Sequence, residues 1–225
     1  MRKTIMCLAN SYKHGGRCIA GIDLDSNAWI RLGGNSPDGA LCPAEYVLDD
    51  GSEPRLLDLI EVELHYALPS AAHPEDWQIA PVRWRLIHRP ASPAQLQAVT
   101  ASADKATTIL RGYCDRMSAD EIRQKPMQSS LALVCPSDLH WWIRGEGTKR
   151  KYRALFRRHH VTYDFALTDP RWLERLDLLP AGIYPHATFA GPAGETWLTV
   201  SLSEPFHGWH YKLVAAVIPP SGTVS

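Results

Sequence analysis

The sequence of 225 residues contains no run that approaches the roughly 18 consecutive apolar residues a membrane-spanning helix needs. It contains no C-x-x-C pair. Its five cysteines (Cys7, Cys18, Cys42, Cys114 and Cys135) are odd in number and sit mostly in apolar runs, which argues against a disulfide framework and a thiolate zinc site. G-x-x-x-x-G-K-[ST] and H-E-x-x-H are both absent, so neither a P-loop nor a zincin-type metal site is signalled. Met1-Arg2-Lys3 leads into only about six apolar or small residues before Asn10, too few for a secretory leader, so the expected compartment is the cytoplasm. Net charge is also lacking, with 24 basic residues against 24 acidic ones.

That balance conceals an uneven layout. Residues 45–63 hold seven acids and one base, whereas residues 144–160 hold seven bases and one acid. A neutral sum therefore says little about what the basic stretch can attract.

The pattern along the chain is predominantly β. Residues 4–32 read as three strands, the first two enclosing a Gly15-Gly16 loop with Lys13, His14 and Arg17. This loop is open to two readings: a hairpin turn, or a backbone nest for an anion beside two cations. The stretch 33–39 is a loop by composition. In Asp58–Leu68, Ile60, Val62, Leu64 and Tyr66 alternate with polar residues, which predicts one buried and one wet face. Residues 69–76 break the pattern, and Val82, Trp84 and Leu86 predict a further half-exposed strand. Ser92-Pro93 opens a helical region whose apolar stripe is Leu96, Val99, Ala103, Ala106 and Leu110, with Ser102 capping a second short helix.

Pro126 ends that region and suggests a division into residues 1–128 and 129–225. The second half reads as strands over Leu131–Cys135, Leu139–Ile143, Val161–Leu167, Thr196–Leu202 and Tyr211–Ile218, with Lys151–Arg158 open between strand and helical turn. Asp169-Pro170 starts one short helix, and the tail from Pro219 is expected to fray. Many short strands and few helices exclude a doubly wound α/β fold. The expected class is mainly β with a few short helices, arranged as two small barrels.

Two long motifs bear a resemblance. Leu8-Ala9-Asn10-Ser11 through Gly15-Gly16-Arg17-Cys18-Ile19-Ala20-Gly21 opens the chain, and Ser201 through Glu204-Pro205-Phe206-His207-Gly208-Trp209 to Ile218 closes it. Together with Trp29-Ile30-Arg31 and Tyr163 through Asp169-Pro170, they look like the bacterial dual OB-containing domain family. The resemblance implies two OB-like β-barrels in one chain and a role in binding nucleic acid or a nucleotide. It carries over no catalytic residues.

The basic stretch adds a local argument, because it follows Trp141-Trp142 and is interleaved with Tyr152 and Phe156. OB folds that hold single strands pair a cationic groove with aromatic platforms. The expectation is a non-enzymatic binder of single-stranded DNA, RNA or a nucleotide-like ligand. Lys13, Arg17, Lys149, Arg150, Lys151 and Arg153 would meet phosphate, and Trp142 and Tyr152 would stack on bases. Asn10, Ser11, Glu204 and Lys212 are assigned to a shared polar pocket in which Arg17 or Lys212 meets Glu204. No catalytic residue, metal or cofactor is assigned: Ser11, His14 and Asp23 lack a nucleophile-elbow context, and His186, His207 and His210 lack ligand spacing. Rival readings are a nucleic-acid-processing enzyme whose Gly-Gly loop grips phosphate, and a protein-interaction module docking a partner on the acidic face of 45–63. An intramolecular alternative pairs the acidic stretch with the basic one. A combined change of Lys149, Arg150, Lys151 and Arg153 to Glu is expected, on sequence grounds, to abolish binding and spare the fold.

Overall fold

A computed structural model describes residues 1–101, 103, 107–189 and 195–219. They form two compact units, one of Met1–Ala103 with Lys125–Ser130, the other of the described residues within 104–124 and 131–225. None of the described helices is long and apolar enough to cross a membrane.

The first unit contains β1 (Arg2–Lys13), β2 (Gly16–Asp23), β3 (Trp29–Gly33), α1 (Pro43–Tyr46), β4 (Leu59–Ala67), β5 (Asp76–Ile79), β6 (Arg85–His88) and α2 (Pro93–Ala101). Its strands run in the order β1-β2-β3-β5-β4 and close through a β1–β4 pairing, with β6 added beside β4. The length of β1 makes the closure possible: Arg2–Met6 pairs with β4 while Ile5–Lys13 pairs with β2. Every ladder is antiparallel except β3–β5. This is a closed five-stranded barrel of OB type. Ile5, Cys7, Ile19, Ile60, Val62 and Trp84 fill its core.

The turn after β1 is a two-residue hairpin. Lys13 pairs with Gly16, and His14 (φ 45°) and Gly15 (φ 86°) both occupy the left-handed region, as a type I′ turn demands. Gly16 meets a different constraint, since a Cβ there would lie 2.5 Å from the Leu41 carbonyl oxygen. The two glycines are thus explained by hairpin geometry and a close backbone approach.

Several sequence expectations need correction here. β5 begins at the last residue of the stretch read as a break and was not read as a strand. Four residues that pair in parallel with β3 and antiparallel with β4 are too short for local alternation to announce them. Tyr66 is 49% exposed because a register shift between Leu64 and Tyr66 turns it out of the buried row. Val82 is 47% exposed and precedes β6, whereas Trp84 is fully buried without belonging to a strand. The helical stripe extends only through α2; Leu110 sits in a turn with φ 46°, and Ser102 and Ala106 lie outside the described residues.

The second unit contains β7 (Arg116–Ser118), α3 (Ala119–Gln124), β8 (Leu131–Val134), β9 (Ser137–Arg144), β10 (Lys151–Arg158), β11 (Val161–Leu167), α4 (Pro170–Asp177), β12 (Gly182–Pro185), β13 (Trp197–Leu202) and β14 (Trp209–Ile218). The order is β12-β9-β10-β11-β14-β13-β8, with β7 on β14. β8 and β9 are separated only by Cys135-Pro136 and together do what β1 does in the first unit, pairing with β13 on one side and β10 on the other. The proline has no amide to donate and breaks the strand at its bend. Again one ladder is parallel, β11–β14. The ambiguous 151–158 segment is a strand. β7 and β12, too short for a sequence signal, were not expected. Beyond Pro219, the stretch read as frayed lies outside the described residues.

Aromatic rings fill this second core. Trp141 stacks on Trp172 at 4.8 Å between centroids, and Phe156 stacks on Tyr163 at 5.5 Å. Trp141 Nε1 donates to His186 Nδ1 at 3.2 Å, which requires an unprotonated nitrogen, and burial lowers the His186 pKa to about 4. Asp169 caps α4: one carboxylate oxygen accepts from the amides of Arg171 (3.0 Å) and Trp172 (3.4 Å), and the other accepts from the Val217 amide at 2.8 Å. A single buried carboxylate thus ties the helix to β14, and burial raises its pKa above the ordinary carboxylate value.

Asp169→Ala leaves three amides without that acceptor. It is expected to destabilise the second unit by about 2–4 kcal/mol. Urea unfolding of the full chain tests this, and a destabilisation below about 1 kcal/mol would show that the cap is dispensable.

Candidate nucleic-acid interface

In the second unit, alternation sends Leu139, Trp141 and Ile143 of β9 inward and His140, Trp142 and Arg144 outward. On β10, Ala154 and Phe156 face inward, so Lys151, Arg153, Leu155 and Arg157 face outward. The register then aligns an outward row across four strands: Ile183 opposite Trp142, Trp142 opposite Arg153, and Arg153 opposite Ala166. A neighbouring row brings His140, Leu155 and Asp164 side by side. The result is a sheet face with an apolar-aromatic centre, Ile183 and Trp142, beside cations. The Arg144 guanidinium lies 4.2 Å from the Trp142 ring centroid. Ile183 is 56% exposed.

The two loops at the rim of this sheet are equally specific. The β9–β10 connection carries exposed Lys149 and leads directly into exposed Lys151. The β13–β14 connection is a tight hairpin in which Phe206 and Trp209 pair and His207 (φ 49°) and Gly208 (φ 81°) form the turn. It is the same His-Gly type I′ turn as His14-Gly15. Phe206 is 63% exposed, and the Arg116 guanidinium lies 4.6 Å from the centroid of the Trp209 ring.

Not every residue assigned from sequence faces this surface. Arg150 Nη1 donates to the Asp177 carbonyl at 2.8 Å, and Nη2 donates to the Leu179 carbonyl, so this side chain clamps the C-terminal end of α4. The Tyr152 hydroxyl donates to Asp177 as well, and desolvation with that bond raises its pKa. These two residues serve the helix, and the expectation that they contact a ligand has no geometric support. Arg153 is on the outward face but is held by Asp164 through Nε and by Asp115 through Nη2 at 3.4 Å. Lys149, Lys151 and Trp142 remain as sequence-assigned residues that present themselves at this face. Ile183, Asp164 and Asp115 were not assigned, because only the register of separate strands brings them there.

In the first unit the assigned residues form a different cluster. The Glu53 carboxylate accepts from Asn10 Nδ2 at 2.9 Å and from Arg17 Nε at 2.8 Å, and Arg17 also lies 4.6 Å from the Tyr12 ring centroid. Ser11 is buried next to it in β1. Lys13 ends β1, where Asp38 accepts from His14 Nδ1 at 2.6 Å, from Ser36 Oγ at 2.7 Å and from the Ala40 amide at 3.1 Å. Those bonds hold the Asp38 pKa well below the usual carboxylate range.

The partner expected for Arg17 or Lys212 was Glu204. Arg17 instead meets Glu53, and Lys212 Nζ, 1% exposed as a residue, donates to the carbonyls of Ile109 and Gly112, both at 2.8 Å. Acids of the 45–63 stretch likewise find local partners: Asp58 pairs with Arg89 at 2.7 Å, Glu61 with Arg85 and Glu63 with Arg2. Among the described residues no group of His, Cys, Asp and Glu is placed to hold a metal.

A closed five-stranded barrel, and a second sheet that follows the same strand path and carries an outward aromatic-cationic face, define a protein of the OB class. Members of that class use such faces and loops to bind oligonucleotides or other ligands. The chain belongs to the dual OB-containing domain family, whose model matches residues 3–217. A search of the curated proteins found no match.

Burial lowers the Lys212 pKa from 10.5 to about 8. Between those values the folded chain carries fewer protons than the unfolded one, so this group makes stability rise as pH climbs from about 8 to 10.5. Lys212→Met should remove that rise. Urea unfolding of both proteins across the window checks it; identical pH dependences would show that Lys212 is not the titrating group.

Proposed function

We propose that the outer face of the second barrel binds single-stranded nucleic acid or a nucleotide-like ligand without catalysing a reaction. The observation that carries the reading is the register row that places Trp142 between Ile183 and Arg153, with Arg144 against its ring. A half-buried indole on the outward face beside cations offers what a single strand needs: a surface for the base and positive charge for the backbone. Stacking contributes about 1–3 kcal/mol per base and tolerates any sequence. Exposed Lys149 and Lys151 supply the salt-dependent component at the first rim loop. The hairpin with Phe206 and Trp209 frames the opposite rim, a position at which OB barrels commonly engage ligand. The reading involves no cofactor or metal.

The quadruple change suggested by sequence is replaced by a narrower one, since Arg150 is engaged by Asp177 and Leu179 and Arg153 by Asp164. Fluorescence anisotropy with short oligothymidylate and oligouridylate, at two salt concentrations, is the test. Trp142→Ala should weaken binding by about 1–3 kcal/mol, roughly 5- to 150-fold. Lys149→Glu/Lys151→Glu should weaken it further at low salt. The log–log salt slope should fall by about 0.7 for each phosphate the variant no longer neutralises. Unchanged affinity in both variants, with the fold intact by circular dichroism, would overturn the assignment of this face.

A further inference from the structure

This inference rests on the ligand reading just given and concerns the position of one phosphate. Arg153 has an unusual distribution of contacts. Nε donates to the Asp164 carboxylate and Nη2 donates to the Asp164 carbonyl at 2.7 Å, so one edge of the guanidinium is fixed by β11. Among the described residues Nη1 has no hydrogen-bond partner. The remaining contact, from Nη2 to Asp115 Oδ2, is long at 3.4 Å, and the Asp115 side chain is 42% exposed. Asp164 therefore orients the guanidinium, while Asp115 rests loosely at the end that an incoming group would approach.

The segment bearing Asp115 is held from behind. Its carbonyl accepts from the Lys212 amide at 2.7 Å, continuing the β7–β14 ladder. The buried Lys212 ammonium holds the carbonyls of Ile109 and Gly112, in a turn where Leu110 (φ 46°) and Arg111 (φ 63°) are both left-handed. The backbone of the segment is thus anchored, and the Asp115 carboxylate can leave Arg153 by rotating its side chain alone. Arg153 is on the strand next to Trp142 in the same outward row, and its guanidinium reaches toward β11, away from β9.

We infer that the Nη1/Nη2 end of Arg153 is a phosphate subsite, and that Asp115 occupies it in the absence of ligand. A phosphate of a strand or nucleotide bound on this sheet face displaces the Asp115 carboxylate and takes two N–H donors in the paired geometry guanidinium offers to phosphate. Asp164 is not displaced, because it bonds the adjacent Nε/Nη2 edge and uses only one of the two Nη2 hydrogens. The ligand class is a phosphorylated nucleoside, free or within a strand. Asp115 competes for the cation as an internal anion and sets the affinity.

The experiment is a double-mutant cycle on the full chain, read by anisotropy with short oligothymidylate and by competition with thymidine and its 5′-monophosphate. Asp115→Asn should tighten oligonucleotide and monophosphate binding about two- to fivefold, the range of one exposed ion pair, and leave binding of the unphosphorylated nucleoside unchanged. Glu121→Gln, an equal charge change on exposed α3, should have a smaller effect. In an Arg153→Lys background, which keeps the charge but removes the paired donors, the gain from Asp115→Asn should largely vanish. Equal gains from Asp115→Asn and Glu121→Gln, or a gain that persists at Arg153→Lys, would overturn the subsite while leaving the Trp142 face standing. Absence of binding by the wild type and by every variant would overturn the ligand reading and the subsite with it. Thermal melts of each variant separate misfolding from weakened binding.

Discussion

Each barrel depends on a strand long enough, or bent enough, to pair on both sides. In the first unit β1 does this unbroken, pairing through Met6 with β4 and up to Lys13 with β2. In the second, the same path is split at Pro136 into β8 and β9. The parallel pair β3–β5 or β11–β14 then completes the ring. Closure satisfies backbone groups that would otherwise be left at open edges, and it fixes which face of every strand is outward. The register row through Trp142 exists only because the strands are held in that order.

The second constraint is local compensation of charge. The sequence carries an acidic stretch and a basic stretch far apart, yet the ion pairs described above join residues of the same unit: Asp58 with Arg89, Glu53 with Arg17, Arg150 with Asp177 and Arg153 with Asp164. Surface pairs contribute little stability each, about 0–1 kcal/mol, but they decide which cations are available to a ligand. Arg150 is withdrawn to cap a helix, whereas Lys149 and Lys151 on either side of it are exposed. Of three consecutive bases, the middle one is engaged by the fold and the outer two face solvent.

Much of the fold was legible beforehand. Strands whose one face is buried against the core, such as β4 and β11, show alternation that any local reading detects. Asp169-Pro170 announced α4 because capping is a local hydrogen-bond problem with few solutions. Segments β5, β7 and β12 were not legible, since strands of three or four residues carry no period of their own. The turn chemistry was half visible: Gly15-Gly16 drew attention as a loop, but the His-Gly pairs at 14–15 and 207–208, each in a left-handed turn, show their meaning only with the strands on either side.

What the sequence by itself determined is the β class, the two-barrel architecture implied by its terminal motifs, most strand positions and the concentration of cations beside tryptophans. These follow from patterns within a few residues, where periodicity, capping and composition act. Only the tertiary structure decided that Trp142 faces outward while Trp141 packs in the core, and that Arg150 serves the fold while Lys151 faces solvent. It alone decided that Asp115, Asp164 and Arg153 meet. Adjacent residues on a strand point to opposite faces, and the partners across a sheet are chosen by closure over long separations in the chain.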